Sequence, residues 1–586
     1  MKKKILLICI PVLLCGVLSA QSSTAAQWVR HSCGLRLNDQ SFRGNLYGDA
    51  ACADRYGNSY NAGAMSGTAF TMDTLIYYMN GHTLFFIKYN SSGERLWTKS
   101  FGGKTPNSLV IVNRMKCDEP GNVYMCGNLS PDAGDTIVIG NYRITRQCGF
   151  IAKFNSQGDN IWCITSQPSG IGGATIAFYD LSIGNDRLYA CGDMNFGKLI
   201  FGGRMFSNKF SLGAFTCGLS LTGRVFTARL LDTNSANQAF GIEVSKKTNK
   251  VYVVGGYLGP GNFTVDALSV PLSKFNFNSY VLQTDPLLKS KWLINGVTYS
   301  ASSGVTGSYK KALSQVELDN SDNVYAVGNA PGDSTRFGNL SFSHETSTAY
   351  KQDLYIVKFT REGIPVWMKA GRSKEMDFVT DIATDPAGNS IITVGSGVNA
   401  TGGLIFGTDT IPQSFSGLVK YDASGNIVYT KALQEIQTIK QISLASDSAF
   451  VITGTPFRRG RPFDTILIND CESTQFGSTI SNSMFMAAFT QQDQVTFANK
   501  AYGKNLLKGV VLYPNPTSGI VRVSVNDNPH QKLFISVFSR DNRLVYNKVL
   551  LPSYQVMDLS GLPAGYYICR IENGLKQKTS VIIFKQ

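Results

Sequence analysis

Hydrophobic and polar positions alternate with a period of two in short runs along most of this chain, as in TLFFIKY, GFIAKF, DLYIVKF and GLVKY. Such alternation predicts strands with one packed and one outward face. A second kind of strand carries tryptophan. Trp28, Trp97, Trp162, Trp292 and Trp367 each sit in a short apolar run, and the last four follow polar turns (SSGERLW, SQGDNIW, DPLLKSKW, REGIPVW). Phe226, Tyr429 and Phe497 fill the gaps in this series, whose members lie 69, 65, 64, 66, 75, 62 and 68 residues apart. A third kind ends in glycine: YNAG at Gly63, YMCG at Gly127, YACG at Gly192, YVVG at Gly255, YAVG at Gly328, ITVG at Gly395 and VITG at Gly454. Its spacings of 64, 65, 63, 73, 67 and 59 keep step with the tryptophans. Two landmarks in one register define a repeat whose units cannot bury their own faces alone.

Turns divide each unit. DRYGN at Asp54, DEPGN at Asp118, DNSDN at Asp319 and DPAGN at Asp385 precede four of the glycine strands. Asp at the first position bonds its own backbone, and Gly or Asn tolerates positive φ. DNSD also has the look of a calcium loop, but the same slot is a plain turn in the other units. Ahead of the turn lies a strand such as IVNRMKCD or VTDIATD. After the glycine come a longer loop, the alternating strand and the tryptophan strand. Four antiparallel strands repeated seven times predict an all-β chain whose residues 27–503 form a seven-bladed β-propeller. Because there are eight tryptophan-type strands for seven units, the Trp28 strand is expected to join the last unit and close the ring. Lys88, Lys153, Lys358 and Lys420 share one slot, expected to be a solvated stem at a blade edge.

The first twenty residues form a separate object. Lys2, Lys3 and Lys4 precede ILLICIPVLLCGVL and then Ser19-Ala20, the pattern of a secretory signal peptide over 1–20. Cys15 would suit a lipid anchor, but Leu14 before it is bulky. No other stretch approaches the length of a membrane-spanning helix. The net charge of +15 falls to +12 without the three leader lysines, and the excess is scattered apart from Arg458, Arg459 and Arg461. A nucleic-acid binder would gather that charge on one face, so a solvated basic surface is expected. Ten cysteines follow the leader, with no CxxC pair. Export permits disulfides, buried free thiols are the alternative, and sequence assigns no partners.

From about Lys504 the repeat stops. VVLYPNPTSGIVRVSV opens a compact unit over 504–586, read as a small immunoglobulin-like β-sandwich. Val521, Val523 and Val525 alternate as a half-buried strand, and the two prolines of YPNPTSG fix an extended, turn-rich entry.

Two resemblances rest on these residues. The DPAGN turn, the Tyr-x-x-Gly landmark and the Gly-x-x-x-Trp strand resemble the seven-bladed propeller repeats of secreted bacterial surface proteins. The tail resembles the type A C-terminal sorting domain of the type IX secretion system. Its matching positions are Tyr513, Pro514, Asn515, Pro516, Thr517, Ser518 and Gly519, then Leu562, Pro563, Ala564, Gly565 and Tyr566, and finally Lys585. That resemblance implies export across the outer membrane by the type IX machinery, followed by attachment to surface lipopolysaccharide or release. It makes these residues recognition positions, not catalytic ones.

Function is less legible. The four histidines (His31, His82, His344, His530) fall at unrelated repeat positions, and no GxSxG, HExxH or phosphate loop is present. No catalytic, cofactor or metal residue is assigned. The expected role is a secreted or surface binding or scaffold module whose loops on one propeller face meet a glycan or protein. The alternative is a secreted propeller enzyme acting on polysaccharide or peptide at the axis. The loops after each glycine carry the recurrent pairs Ile139-Gly140, Phe201-Gly202, Phe337-Gly338 and Phe406-Gly407, read as a structural bend. Asp-Thr-Leu or Asp-Thr-Ile triplets at Asp73, Asp135, Asp409 and Asp464 resemble O-glycosylation acceptors. An enzyme should show coupled charged groups at an axial mouth; a binding module should not.

Overall fold

The computed structural model describes residues 23–492 and 510–585 outside a set of short segments, the longest being 300–312 and 468–482. The leader, Phe497, and Pro514 to Pro516 lie outside the described residues. One compact unit spans 21–494; residues 495–586 belong to another.

The first unit is all-β. Among its described residues, seven sheets each contain four antiparallel strands. Their first strands are Ala50–Ala53, Leu109–Cys117, Ile176–Ile183, Ala236–Val244, Leu313–Leu318, Asp377–Thr384 and Ile436–Ser446. In sheets 1 to 6 the four strands follow in chain order. In sheet 7 the fourth strand comes from the other end of the chain: Ser23–Leu35 pairs with Ser483–Gln492, placing Ser23 opposite Gln492 and Cys33 opposite Ser483. Trp28 therefore joins the last sheet. Each first strand touches the first strand of the next sheet, and that of sheet 7 touches that of sheet 1.

The cores lie between sheets rather than within them. Val112, Met125 and Phe150 of sheet 2 pack on Ala50, Leu84 and Phe86 of sheet 1, and Trp28, Met484 and Met486 of sheet 7 pack on Phe85 and Tyr89 of sheet 1. The outward face expected of these strands is absent: CGFIAKF and QDLYIVKF are buried along nearly their whole length, one face against each neighbouring sheet.

The tryptophans have a further task. Each Nε1 donates to a carbonyl in the turn between strands 3 and 4 of the next sheet: Trp28 to Ser91 (3.0 Å), Trp97 to Ser156 (3.2 Å), Trp162 to Leu221 (3.1 Å), Trp292 to Arg361 (3.2 Å) and Trp367 to Ala423 (3.2 Å). The repeated lysine is not a solvated stem. Lys88 donates to the same Ser156 carbonyl at 3.2 Å, Lys153 to that of Leu221 at 3.4 Å and Lys358 to that of Ala423 at 2.9 Å. Their ammonium groups lie 4.9–5.0 Å from the ring centres of Tyr60, Tyr124 and Tyr325. Those hydroxyls bond the turn carboxylates of Asp54, Asp118 and Asp319. A carboxylate, an aromatic face and a carbonyl give the cation partners that solvent would otherwise supply. Burial still pushes the Lys88 and Lys358 pKa values down.

The glycine in each receiving turn is required twice over. Gly158 has φ +80, and a Cβ there would lie 2.8 Å from the Trp97 ring. Gly134 has the same φ with nothing within 4 Å. Gly134→Ala should cost about 1–2 kcal/mol for the left-handed backbone. Gly158→Ala should add about 1–3 kcal/mol of overpacking, read as a clearly larger fall in melting temperature. Equal falls would refute the stacking role.

The loop between strands 2 and 3 folds into a hairpin. Gly140, Gly202, Gly338 and Gly407 have φ of +57, +58, +57 and +58 in two-residue turns, as tight hairpins require. Ile139, Phe201, Phe337 and Phe406 are fully buried. Three of the hairpins pair with the fourth strand of the preceding sheet: Ala69–Met72 with Ser32–Leu35, Val138 with Gly102, and Ser334–Phe337 with Gly296–Tyr299. The Phe-Gly recurrence is thus a bend that latches neighbours. Asp135 also belongs to the scaffold: it accepts from the backbone N–H groups of Lys104, Thr105 and Thr136.

A disulfide joins Cys52 and Cys117, on the first strands of sheets 1 and 2. Cys126, Cys148, Cys163, Cys191, Cys217 and Cys569 are buried thiols.

The tail has two antiparallel sheets, Val510–Tyr513, Ile520–Val525 and Val556–Asp558 in one, and Leu533–Phe538, Leu544–Leu550, Gly565–Asn573 and Lys578–Lys585 in the other. Val521, Val523, Ile535, Val537, Cys569 and Ile583 form a shared core.

Candidate axial site

Six of the seven first strands carry a register shift at the same place, just before Arg114, Asp180, Gly241, Gln315, Asp381 and Gln441. A bulge re-aims the residue beside it. Arg114 of sheet 2 then reaches Asp180 of sheet 3 (2.9 Å) and Asp381 of sheet 6 (2.7 Å). Bonds between such distant sheets place these side chains inside the circle of first strands. Gln441 of sheet 7 belongs to the same layer, and its Nε2 donates to the Met115 carbonyl at 2.9 Å. Asp180 accepts from the Ile242 N–H (2.9 Å) and Asp381 from the Ile442 N–H (2.8 Å), tying each carboxylate to the next sheet.

Two residues further along, Lys116, Glu243 and Glu317 form a second layer. Lys116 Nζ lies 2.8 Å from Glu317 and 3.6 Å from Glu243. Above them opens a cavity of about 530 Å³, lined by the first strands of all seven sheets, including Ala53, Lys116, Ser182, Glu243, Glu317, Thr384 and Ser443. Its rim is made of turns between strands 1 and 2: Asp118 to Pro120, Gly184-Asn185 and Lys246. In a four-stranded meander these turns lie at the opposite edge from the connection between strands 2 and 3. The cavity therefore opens on the side away from the hairpins.

Burial dominates the titration here. It pushes Asp180 up to about 6 and Glu243 up to about 7, with Arg114 and Lys116 working the other way for Asp180 and Lys116 for Glu243. Burial opposes the charges of Arg114 and Lys116, but the surrounding carboxylates outweigh it and hold both protonated. Sequence reasoning assigned none of these residues, although IVNRMKCD and VTDIATD placed Arg114 and Asp381 four positions before their turn aspartates. A charged residue in that column of a buried strand was the available signal.

The sorting positions belong to the tail. Thr517 is buried, bridges to Lys585 as a parallel partner, and its Oγ1 accepts from the Gly519 N–H at 3.0 Å. A Cβ on Gly519 would lie 2.8 Å from Ser560 Cα, so the chain there needs glycine. In the LPAGYY segment the Tyr567 ring is buried, and its hydroxyl donates to the Pro563 carbonyl at 2.8 Å. The histidine side chains lie outside the described residues.

Residues 511–585 match the secretion system C-terminal sorting domain. The chain thus carries the tail of a type IX secretion substrate and is a secreted or cell-surface protein. No curated protein matches. Among solved structures, the chain is similar to the extracellular domain of a putative hybrid two-component system from B. thetaiotaomicron, at 10% identity over 95% of this chain and 98% of that one, with a TM-score of 0.17. A putative one-component system from the same organism gives 10% identity, the same coverage and a TM-score of 0.13. At those scores the likeness carries no structural inference. Among the described residues no helix is long and apolar enough to cross a membrane.

Proposed function

We propose that residues 27–503 form a closed seven-bladed β-propeller, displayed outside the cell by an immunoglobulin-like sorting tail, and that it binds a ligand in its axial cavity. Seven four-stranded sheets, first strands in cyclic contact and one sheet shared by both chain ends support the ring. The observation that carries the binding reading is the cavity lined by all seven first strands. Its volume falls within the range of small-molecule sites. Binding there replaces the expectation that the loops after each glycine make the contacts, since their recurrent parts are spent on neighbouring sheets. Export through the type IX machinery precedes display, with attachment to lipopolysaccharide or release as the two fates. Ser443→Phe would obstruct part of the cavity without removing a charge. A screen of soluble glycans and short peptides should find a ligand whose binding this variant abolishes; binding unchanged by it would place the site elsewhere and sink this reading.

One observation favours catalysis instead. Glu243, held near neutral pKa beside Lys116, has the character of a general acid or base. On that reading polysaccharide or peptide hydrolysis would be lost in Glu243→Gln while ligand binding persisted.

A further inference from the structure

We propose that the axial cavity receives a small molecule through an ammonium or guanidinium group, with Glu243 and Glu317 as the carboxylates that hold it. The proposal rests on the binding reading above and adds the chemistry of the ligand. Four carboxylates (Asp180, Glu243, Glu317 and Asp381) converge on two cations, Arg114 and Lys116. Arg114 is nearest Asp180 and Asp381, and those two also take backbone N–H groups. Lys116 faces both Glu243 and Glu317 and sits nearer Glu317, which Arg114 also approaches to 3.9 Å.

One buried acceptor on the cavity wall lacks a hydrogen bond: Glu243 Oε2, from which Lys116 Nζ stands off at 3.6 Å. An unpaired acceptor away from water is costly, and an excess of buried negative charge is more so. A donor-rich cation relieves both, whereas an anion would worsen the imbalance. A neutral polyol would supply donors but leave the charge. Among the described residues no three His, Cys, Asp or Glu side chains are grouped to hold a metal ion, so the fit is to a cation recognised by directional hydrogen bonds. The Ser443 hydroxyl on the wall suits a hydroxylated or amide frame around it, those of Ser182 and Thr384 being engaged with Val244 and Ser390.

The titration of Glu243 supports the same ligand. The charged groups facing it are Lys116 from sheet 2, Asp180 from sheet 3 and Glu317 from sheet 5, and the balance leaves it near 7. An arriving cation favours the carboxylate, so a ligand whose amine stays protonated throughout, such as a lysine side chain, should expel a proton on binding at neutral pH and bind more tightly as pH rises from 6 to 8.

Two sources of the cation are separated by calorimetry on the mature full-length protein. One arm uses the disaccharide of glucosamine against its N-acetylated form; the other uses a lysine-containing dipeptide against its Nε-acetylated form. At least one amine should bind, with its acetylated partner at least about tenfold weaker. Glu243→Gln and Glu317→Gln should each weaken it comparably with an unchanged melting temperature, and the binding heat should vary with buffer ionisation enthalpy. Failure of both amines, equal binding of the acetylated forms, or indifference to both glutamine variants would overturn the proposal. A neutral ligand displaced by Ser443→Phe would overturn the cation chemistry alone and leave the cavity reading standing.

Discussion

Arg114→Met should be the most damaging single substitution in the ring. The change keeps most of the side-chain length but removes the guanidinium that bonds Asp180 and Asp381, which are 1% and 0% exposed. Removing one partner of a buried ion pair costs about 3–5 kcal/mol, because the remaining charge has lost its compensation. Here two carboxylates from opposite sides of the circle would face each other. Thermal unfolding of the variant should fall well below that of the parent, or the protein should fail to accumulate folded. Adding Asp180→Asn and Asp381→Asn to the variant should restore much of the loss, since neutral amides remove the stranded charge. A parent-like melting curve for Arg114→Met would show that the cluster contributes nothing to the ring.

Removal of residues 504–586 should have the opposite profile, abolishing export while leaving the ring intact. The tail's core draws on residues between Leu512 and Ile583, and the match to the sorting domain covers 511–585. The truncated protein should remain in the periplasm with the ring's melting transition unchanged. Fusing 504–586 to an unrelated exported protein should carry that protein outward in a host with the machinery. Surface display of the truncated chain, or collapse of its ring, would be fatal to this assignment.

Much of the architecture was legible because the repeat writes the same contact several times. The tryptophan column marks hydrogen bonds from one sheet to the next, and the glycine of SSG, SQG or ASG marks the ring stacked against it. The turn aspartates behave as read: Asp385 takes the Asn389 backbone N–H at 2.8 Å and its side-chain amide at 2.7 Å. The surplus Trp28 strand pointed to closure with the last sheet. The lysine column was misread because its carbonyl partner belongs to another unit, some 65 residues onward, which a period-two pattern does not display. ITVG was a looser match: a Cβ on Gly395 would meet the Phe378 ring, whereas one on Gly127 would meet the Ile111 carbonyl of the bulge.

The axial cluster stayed hidden for a different reason. Each of its members occurs once in its own unit, and only the bulges bring them together. Nothing in the local pattern at Tyr179-Asp180 or Thr380-Asp381 announces a bulge. The tail was legible as a motif, but the burial of Tyr567 depends on which face of the final strands meets the core.

The shared seventh sheet sets an order of events for the living cell. Ser23–Leu35 comes early in synthesis, while its partner Ser483–Gln492 is made hundreds of residues later. Until then the leading strand has no native partner, and its free backbone groups invite pairing with any other strand edge. Closing so long a loop is slow rather than strongly unfavourable. Only molecules that have completed their last sheet can pair this first strand in the native way, and a chain cut short in synthesis keeps an open edge by construction.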